Sequence, residues 1–143
     1  KDWSLLALGL TGFIAGQIAF LGHNEFGKYI AGTAHLPAMR EVLKTPGSHF
    51  YGVGRYEQAM PFYLERTMTL VEFPDEMQFG LSIEPQLWIP QREDFVHRWL
   101  AHVQNKEAAV AVVRRDIYDD FRARGIPMRV IGDDPKRIVI SAQ

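Results

Sequence analysis

The chain has 143 residues, no cysteine and a formal net charge of −1. The lack of cysteine excludes disulfides, thiolate metal sites and cysteine nucleophiles, and the near-neutral charge argues against nucleic acid as a partner. Without the apolar N-terminal run and the segment after it to about His35, roughly 108 residues remain, which is enough for one small domain with a modest core.

The first predicted element is a membrane-spanning helix. Trp3 to Leu21 contains no charged residue, and a helix of that length spans roughly 28 Å, close to the thickness of a bilayer's hydrocarbon core. A secretory signal peptide would need a basic leader, whereas Lys1 and Asp2 cancel. A buried helix this apolar would need a larger core than the remaining residues supply. We therefore expect residues 1–22 to cross a membrane.

Residues 23–48 form a predicted connector between the membrane and a soluble part. The segment mixes glycine, lysine, threonine and proline with short apolar stretches. A brief helix at Pro37 to Leu43 is expected within it, ended by Thr45-Pro46-Gly47. Lys and Arg are too evenly distributed about the span to orient it. Because the chain starts with Lys1, we expect it to be a piece of a longer protein.

The soluble part, residues 49–143, is predicted to alternate strands and helices. The expected elements are a strand at Phe50 to Val53, a helix at Glu57 to Leu64 with Pro61 in its first turn, a strand at Thr67 to Phe73, an irregular loop at Pro74 to Pro90, a helix at Gln91 to Gln104, a strand at Ala108 to Val113, a helix capped by Asp116 and stopped at Gly125, and strands at Met128 to Ile131 and Arg137 to Ile140. This order predicts an α/β domain with layered helices, a mostly parallel sheet and one terminal hairpin.

A glycine pair is the first candidate for a ligand site. Gly52-x-Gly54 lies between a predicted strand and a predicted helix, where a phosphate-binding loop would be found. Glu57 stands where the third glycine of such a loop is expected, and its negative charge opposes a pyrophosphate. The pattern therefore favours a plain strand-to-helix turn.

The chain has five histidines that could include metal ligands, His23, His35, His49, His97 and His102. A spacing of five residues turns His97 and His102 to different helix faces. Most of the five are expected to face solvent. His49 is retained as a candidate metal ligand, because it stands where the connector meets the first strand and could join ligands from elsewhere in a longer protein. The paired carboxylates are explained by helix caps and turns, so no catalytic residue is expected in this chain.

The last third of the chain is locally basic. Its cationic residues are Arg114, Arg115, Arg122, Arg124, Arg129, Lys136 and Arg137. Such a face could rest on anionic lipid headgroups, although a solvated face is the favoured interpretation.

The segment from Tyr56 to Leu64 combines aromatic residues, an amide and a proline in one turn of helix. Phe62 and Leu64 are expected in the core, whereas Tyr56, Gln58 and Tyr63 offer polar tips that could meet a partner surface. Helix packing alone is the alternative explanation of this composition.

This segment and the motifs after it resemble the soluble C-terminal domain of bacterial membrane glycosyltransferases related to protein O-mannosyltransferases, in particular lipid A 4-amino-4-deoxy-L-arabinose transferases. The similarity extends over about residues 50–140. The motifs that carry it are Tyr56-x-Gln58-x-x-Pro61-Phe62-Tyr63-Leu64, Arg66-x-x-Thr69-Leu70-Val71, Phe79-Gly80, Glu84-Pro85, Trp88-Ile89-Pro90, Arg114-Arg115-Asp116-x-Tyr118 and Gly125-Ile126-Pro127-Met128-Arg129-Val130-Ile131.

The resemblance implies a function and a place in the cell. Such enzymes transfer aminoarabinose from undecaprenyl phosphate to the phosphates of lipid A, which weakens the binding of cationic peptides such as polymyxin. The chain would supply the last transmembrane helix and a small periplasmic α/β/α domain of an inner-membrane protein. Its partners would be the remaining membrane domain, the polyprenyl-phosphate-linked sugar and lipid A. Because the family's catalytic aspartate belongs to an earlier loop, the chain alone would be inactive.

The resemblance also implies site residues. Tyr56, Gln58, Pro61, Phe62 and Tyr63 would face the cavity that holds the lipid-linked sugar. Some relatives bind a divalent metal between their soluble and membrane portions, which would make His49 a ligand.

Two interpretations from other functional classes stay open. One is a membrane-tethered module that binds a small anionic ligand at the edge of its parallel sheet. The other is a structural domain that docks onto a partner through the loop from Phe79 to Trp88, whose apolar residues lack a partner within the predicted elements.

Overall fold

A long helix and a folded domain make up the chain. The computed structural model describes residues 2–72 and 74–142, and the chain divides into two compact units, Lys1–Ala31 and Gly32–Gln143. The first unit is helix α1, Asp2–Ala31. Its segment Trp3–Gly22 is long and apolar enough to cross a membrane.

The apolar side chains of α1 are exposed along this segment. Trp3 is 83% exposed and Phe20 is 75% exposed, and none of the apolar window is buried. A helix in the core of a soluble domain would bury such side chains. The helix is therefore a candidate membrane span.

The second unit consists of five helices and six strands among its described residues. The helices are α2 (Leu36–Leu43), α3 (Ala59–Leu64), α4 (Gln78–Ile83), α5 (Arg92–Asn105) and α6 (Arg115–Ala123), and the strands are β1 (His49–Val53), β2 (Thr69–Val71), β3 (Trp88–Ile89), β4 (Ala109–Arg114), β5 (Arg129–Asp134) and β6 (Arg137–Ser141). Short 3₁₀ turns occupy Thr33–His35, Asp75–Met77 and Pro85–Leu87. Phe73, the predicted end of the second strand, lies outside the described residues.

The strands form one sheet in the order β3-β2-β1-β4-β6-β5. Neighbours among β3, β2, β1 and β4 are parallel, and β6 runs antiparallel to both β4 and β5. The predicted mostly parallel sheet with a terminal hairpin is thus confirmed. The β5–β6 pairing shifts register between Val130 and Gly132, which marks a bulge.

Helices cover both faces of the sheet, as the layered prediction required. One face packs against α5 and α6 through residues that include Tyr51, Val53, Phe95, Trp99, Ile117 and Phe121. The other face packs against α2, α3 and α4 through residues that include Met39, Leu43, Met60, Leu70, Leu81 and Val110. Residues 109–113 of β4 are completely buried, because a central strand is covered on both sides.

The predicted connector, residues 23–48, is largely helical. α1 continues to Ala31, and the second compact unit starts at Gly32 rather than at His49. α2 confirms the brief helix expected at Pro37 to Leu43, and it buries Leu36, Met39 and Leu43. These three residues recur at the spacing of one helical face, so the segment belongs to the core of the domain.

The predicted irregular loop, Pro74 to Pro90, is also folded. It contains α4 and the edge strand β3, which pairs with β2 through Leu70 with Trp88 and Val71 with Ile89. The prediction of a loop was wrong because a strand of two residues shows no alternation, and a helix of six residues shows little periodicity. Leu81 on α4 is buried in the sheet face.

Candidate functional site

A groove of about 490 Å³ lies beside α3 and is closed on its other side by α4. Its apolar lining comes from Pro61, Met68, Leu70, Met77, Leu81 and Leu87. Polar groups reach it from Tyr56, Glu65, Arg66, Thr67 and Glu84. A mostly apolar concavity with a few converging polar groups is typical of a ligand site.

The five residues predicted to face a substrate cavity all lie on or next to α3. Tyr56 and Pro61 line the groove, and Pro61 occupies the first turn of α3, as predicted. Gln58 is exposed and its amide donates a hydrogen bond to Glu76. Phe62 and Tyr63 contact each other edge to face, with their ring centroids 5.3 Å apart. Whether these side chains contact a substrate stays a prediction.

The expectation that Phe62 is a core residue was wrong. Its side chain is 76% exposed, because Met60 takes the inward position of the short helix and a residue two places further along points away from it. Leu64 is partly buried against the core, as expected. α3 therefore presents an aromatic pair to its surroundings.

Exposed apolar side chains also occur on α4, on the other side of the groove. Phe79 is 79% exposed and Ile83 is 66% exposed. Together with Phe62 and Tyr63, they give the two helices that flank the groove an apolar outer surface. Contiguous exposed apolar residues mark surfaces that bind a protein or a membrane.

A second concavity, of about 410 Å³, lies between α2 and α3. Arg40 donates a hydrogen bond to the carbonyl oxygen of Tyr63 at 2.8 Å, and Arg66 donates one to the carbonyl oxygen of Leu43 at 2.7 Å. Lys44 and Glu65 also line it. The two arginines fix α3 against α2, so the aromatic pair is held on a braced helix.

A buried ionic cluster lies at the end of the sheet where β4 ends and the neighbouring strand β6 begins. Arg137 is fully buried, and its Nη1 donates to Glu57 Oε2 at 2.8 Å. Its Nε lies 3.2 Å from Asp134 Oδ2, which is also 2.9 Å from His35 Nε2. Arg55 pairs with Glu57. The cluster ties the turn before α2 to the strand hairpin and to the loop before α3.

The hydrogen bonds of this cluster control the ionisation of Asp134. Burial alone would raise its pKa, but hydrogen bonds from His35 and from the Lys136 N–H, together with the Arg137 charge, bring the pKa below its usual value. Asp134 is therefore a carboxylate at neutral pH. A carboxylate so strongly held by its neighbours serves as a structural anion rather than a proton carrier.

At the opposite end of the strands, where β1 begins, His49 lies close to two other side chains of this chain that could bind a metal. Each of His49, His102 and Glu107 offers one possible ligand atom, and these three atoms all lie within 4.8 Å of one another. The imidazoles of His49 and His102 stack with their centroids 4.2 Å apart. The prediction anticipated partners from elsewhere in a longer protein, whereas two candidate partners follow within the domain.

The expectation that His102 faces solvent was wrong. It is 8% exposed, with Nδ1 2.6 Å from Glu107 Oε2 and Nε2 2.8 Å from the Tyr51 hydroxyl. His97, on the same helix, is exposed, as the five-residue spacing predicted. Sequence inspection missed Glu107 because the left-handed residue Lys106 reverses the chain and returns it to the end of α5. His35 also lies partly buried against Asp134, and the side chain of His23 lies outside the described residues.

The glycine pair is explained by packing. A Cβ atom on Gly52 would lie 2.5 Å from Met68 Sδ and 2.7 Å from the carbonyl oxygen of Arg55. Gly54 has a φ of +68°, and Ile117 Cδ1 occupies the space beside it. This position lies at the carboxyl ends of β1 and β4, where an open α/β sheet usually binds its ligand. Ile117 fills that crevice, which disfavours an anion site there.

We predict that Gly52→Ala lowers the free energy of unfolding by about 1–3 kcal/mol, the usual cost of overpacking a core. Gly80→Ala is the matched control, since Gly80 lies in α4 with open space around it. It should be neutral or stabilise the domain by up to about 1 kcal/mol, because alanine favours helix. Urea unfolding of both variants in detergent micelles measures the difference, and equal stabilities would contradict the packing explanation.

The basic residues of the last third are mostly paired. Arg114 binds Asp116 through two hydrogen bonds, and Arg124 binds Glu93 in the same way. Arg115 donates to the carbonyl oxygen of Asp134. Carboxylates therefore neutralise part of this basic surface.

Comparisons with known proteins give a consistent result. The family described as "Aminoarabinose transferase C-terminal domain" matches residues 35–142. Two solved structures of ArnT from Cupriavidus metallidurans, one apo and one bound to undecaprenyl phosphate, are similar at 32% identity and a TM-score of 0.73. Each alignment covers 88% of this chain and 22% of the ArnT chain. No curated protein sequence matches the chain.

Proposed function

The chain belongs to the aminoarabinose transferase C-terminal domain family, and on that basis we propose that it is the non-catalytic C-terminal part of an integral membrane glycosyltransferase. The full-length enzyme would transfer aminoarabinose from undecaprenyl phosphate to the phosphates of lipid A. The similarity to ArnT, with the undecaprenyl phosphate bound to that protein, supports the donor. The alignment covers 22% of the ArnT chain, and we propose that the catalytic aspartate of the family lies in an earlier loop outside this chain, which would leave the chain alone inactive.

The proposal places α1 in the bacterial inner membrane as the last transmembrane helix, with the α/β domain in the periplasm. The exposed apolar window of α1 supports this placement. The domain's main partner would be the remaining membrane domain of the same enzyme. Lipid A and the lipid-linked sugar would reach the enzyme from the bilayer.

One observation supports our proposal that α3 faces the substrate. Phe62 and Tyr63 are exposed at the end of a helix that also lines a groove. Leaving an aromatic ring in water forgoes about 1.5–3 kcal/mol of burial energy, which the domain would recover if these rings were covered. We place Tyr56, Gln58, Pro61, Phe62 and Tyr63 at the cavity that holds the lipid-linked sugar.

The test is sugar transfer by the full-length enzyme carrying Tyr56→Phe and Gln58→Ala together. The pair removes the hydroxyl and the amide while keeping the tyrosine's packing. We expect transfer to fall about five- to tenfold, the effect of losing one or two hydrogen bonds in the transition state. The melting temperature should stay close to that of the parent enzyme.

A matched control carries Tyr118→Phe and Gln104→Ala. Tyr118 is half-buried and Gln104 is exposed, like the tested pair, but they lie on α6 and α5 at the opposite face of the sheet. The control should retain full transfer. Full transfer in the Tyr56 and Gln58 variant as well would reject the substrate-facing role.

A membrane-tethered ligand-binding or docking module is the alternative function. The exposed Phe79 and Ile83 on α4 favour a docking surface in the segment from Phe79 to Trp88. The same assay separates the two proposals, because a protein that only docks would show no sugar transfer in its full-length form.

A further inference from the structure

We propose that His49, His102 and Glu107 form a binding site for one divalent ion of the Zn²⁺ class. Two imidazoles and one carboxylate are the donor set of three-ligand zinc sites, in which a fourth position stays open to water or another ligand. The three donor atoms already lie within 4.8 Å of one another. All three side chains belong to this domain, so the site requires nothing from the membrane part.

The hydrogen bonds of His102 prepare it for this role. A carboxylate only accepts hydrogen bonds, so Nδ1 of His102 carries the proton donated to Glu107, and Nε2 accepts from the Tyr51 hydroxyl. A cation bound at Nδ1 would take the place of that proton, and the ring would then carry its proton on Nε2 and donate it to Tyr51. A hydrogen bond donated by the second ring N–H is the usual support of a metal-bound histidine.

The other two ligands are free to adjust. Side chains of His49 and Glu107 are exposed, and the Glu107 carboxylate is also held by Asn105 Nδ2 at 3.3 Å. Two ligand atoms on one zinc ion are roughly 3.3 Å apart, so the 2.6 Å contact between His102 and Glu107 has to open by less than about 1 Å. Partial burial lowers the pKa of His49, and His102 lowers it further, which favours the neutral imidazole that a metal requires.

An ion bound by these three residues would also connect separate elements of the fold. His49 begins β1, His102 lies in the last turn of α5, and Glu107 lies in the turn that leads to β4. A bound ion would therefore tie the start of the central parallel strand to the α5–β4 turn. Binding to the folded domain alone would raise its stability with metal concentration.

The experiment is calorimetric titration of the full chain in detergent micelles with Zn²⁺, with Co²⁺ absorption as a second readout of nitrogen and oxygen ligands. We expect one saturable site per chain. His49→Ala and Glu107→Gln should each weaken binding at least tenfold. Both side chains are exposed, so these variants should keep the fold.

Two further variants make the result specific. His97→Ala removes an exposed histidine of the same helix outside the cluster and should leave affinity unchanged. Tyr51→Phe should weaken binding about 10- to 100-fold through the lost support of His102. The proposal is overturned if the parent chain shows no saturable binding at micromolar Zn²⁺, if His49→Ala binds like the parent, or if His97→Ala loses binding. Because no transfer activity is measured, this test is independent of the proposed glycosyltransferase function.

Discussion

Replacing Arg137 with methionine should lower the free energy of unfolding of the domain by about 3–5 kcal/mol. Arg137 is fully buried and is the shared cationic partner of Glu57 and Asp134. Methionine keeps most of the volume but removes the buried cation that Asp134 and Glu57 share, which leaves Asp134 with His35 and Glu57 with Arg55. Urea unfolding of the chain in micelles, monitored by tryptophan fluorescence, measures the loss.

Two variants test the electrostatic origin of this effect. Arg129→Met removes an exposed arginine of the same hairpin and should change stability by less than about 0.5 kcal/mol. Glu57→Gln combined with Arg137→Met should recover part of the loss, because one buried negative charge is removed with its partner. A loss below about 1 kcal/mol in Arg137→Met would show that the cluster contributes little to stability.

Trp99→Ala should cost a similar amount, about 3–5 kcal/mol, for a different reason. Trp99 is fully buried between α5 and the sheet, where it contacts Phe95 with centroids 5.7 Å apart. Its indole N–H donates a hydrogen bond to the carbonyl oxygen of Pro127 at 2.9 Å. The substitution leaves a large cavity and also removes a donor. Far-UV circular dichroism during urea unfolding follows the change without relying on tryptophan fluorescence.

Trp99→Phe separates the two contributions, since it keeps most of the ring volume but loses the N–H donor. We expect it to fall between the parent and Trp99→Ala. Phe79→Ala is the control for removing an aromatic side chain, because Phe79 is 79% exposed, and it should change stability by less than about 0.5 kcal/mol. Equal effects of Trp99→Ala and Phe79→Ala would contradict the assigned core.

The sheet could be predicted from sequence wherever burial imposed a pattern. The continuous apolar run from Ala108 to Val113 predicted a strand covered on both faces, and β4 is that strand. β3 could not be predicted, because Trp88 and Ile89 form a strand only by pairing with β2. α2 was predicted as a helix, but its place in the core depends on the sheet face that it meets.

The candidate sites were less predictable than the fold. His49 was selected from its position, yet its two possible co-ligands come from a helix end and a turn more than 50 residues later in the sequence. The burial of Arg137 could not be predicted from the sequence, because Arg137 is one of several cationic residues in a basic stretch. Its carboxylate partner Glu57 is 80 residues away, and only the fold brings the two together.

The two borders of the sheet restrict how the domain can associate. β3 offers only two residues to an incoming strand and is followed by Pro90, while β5 carries Arg129 and Asp133 beside its bulge. Short, charged or bulged borders resist the strand addition that leads to self-association. A partner protein would therefore bind to side chains on the helices rather than add a strand to the sheet.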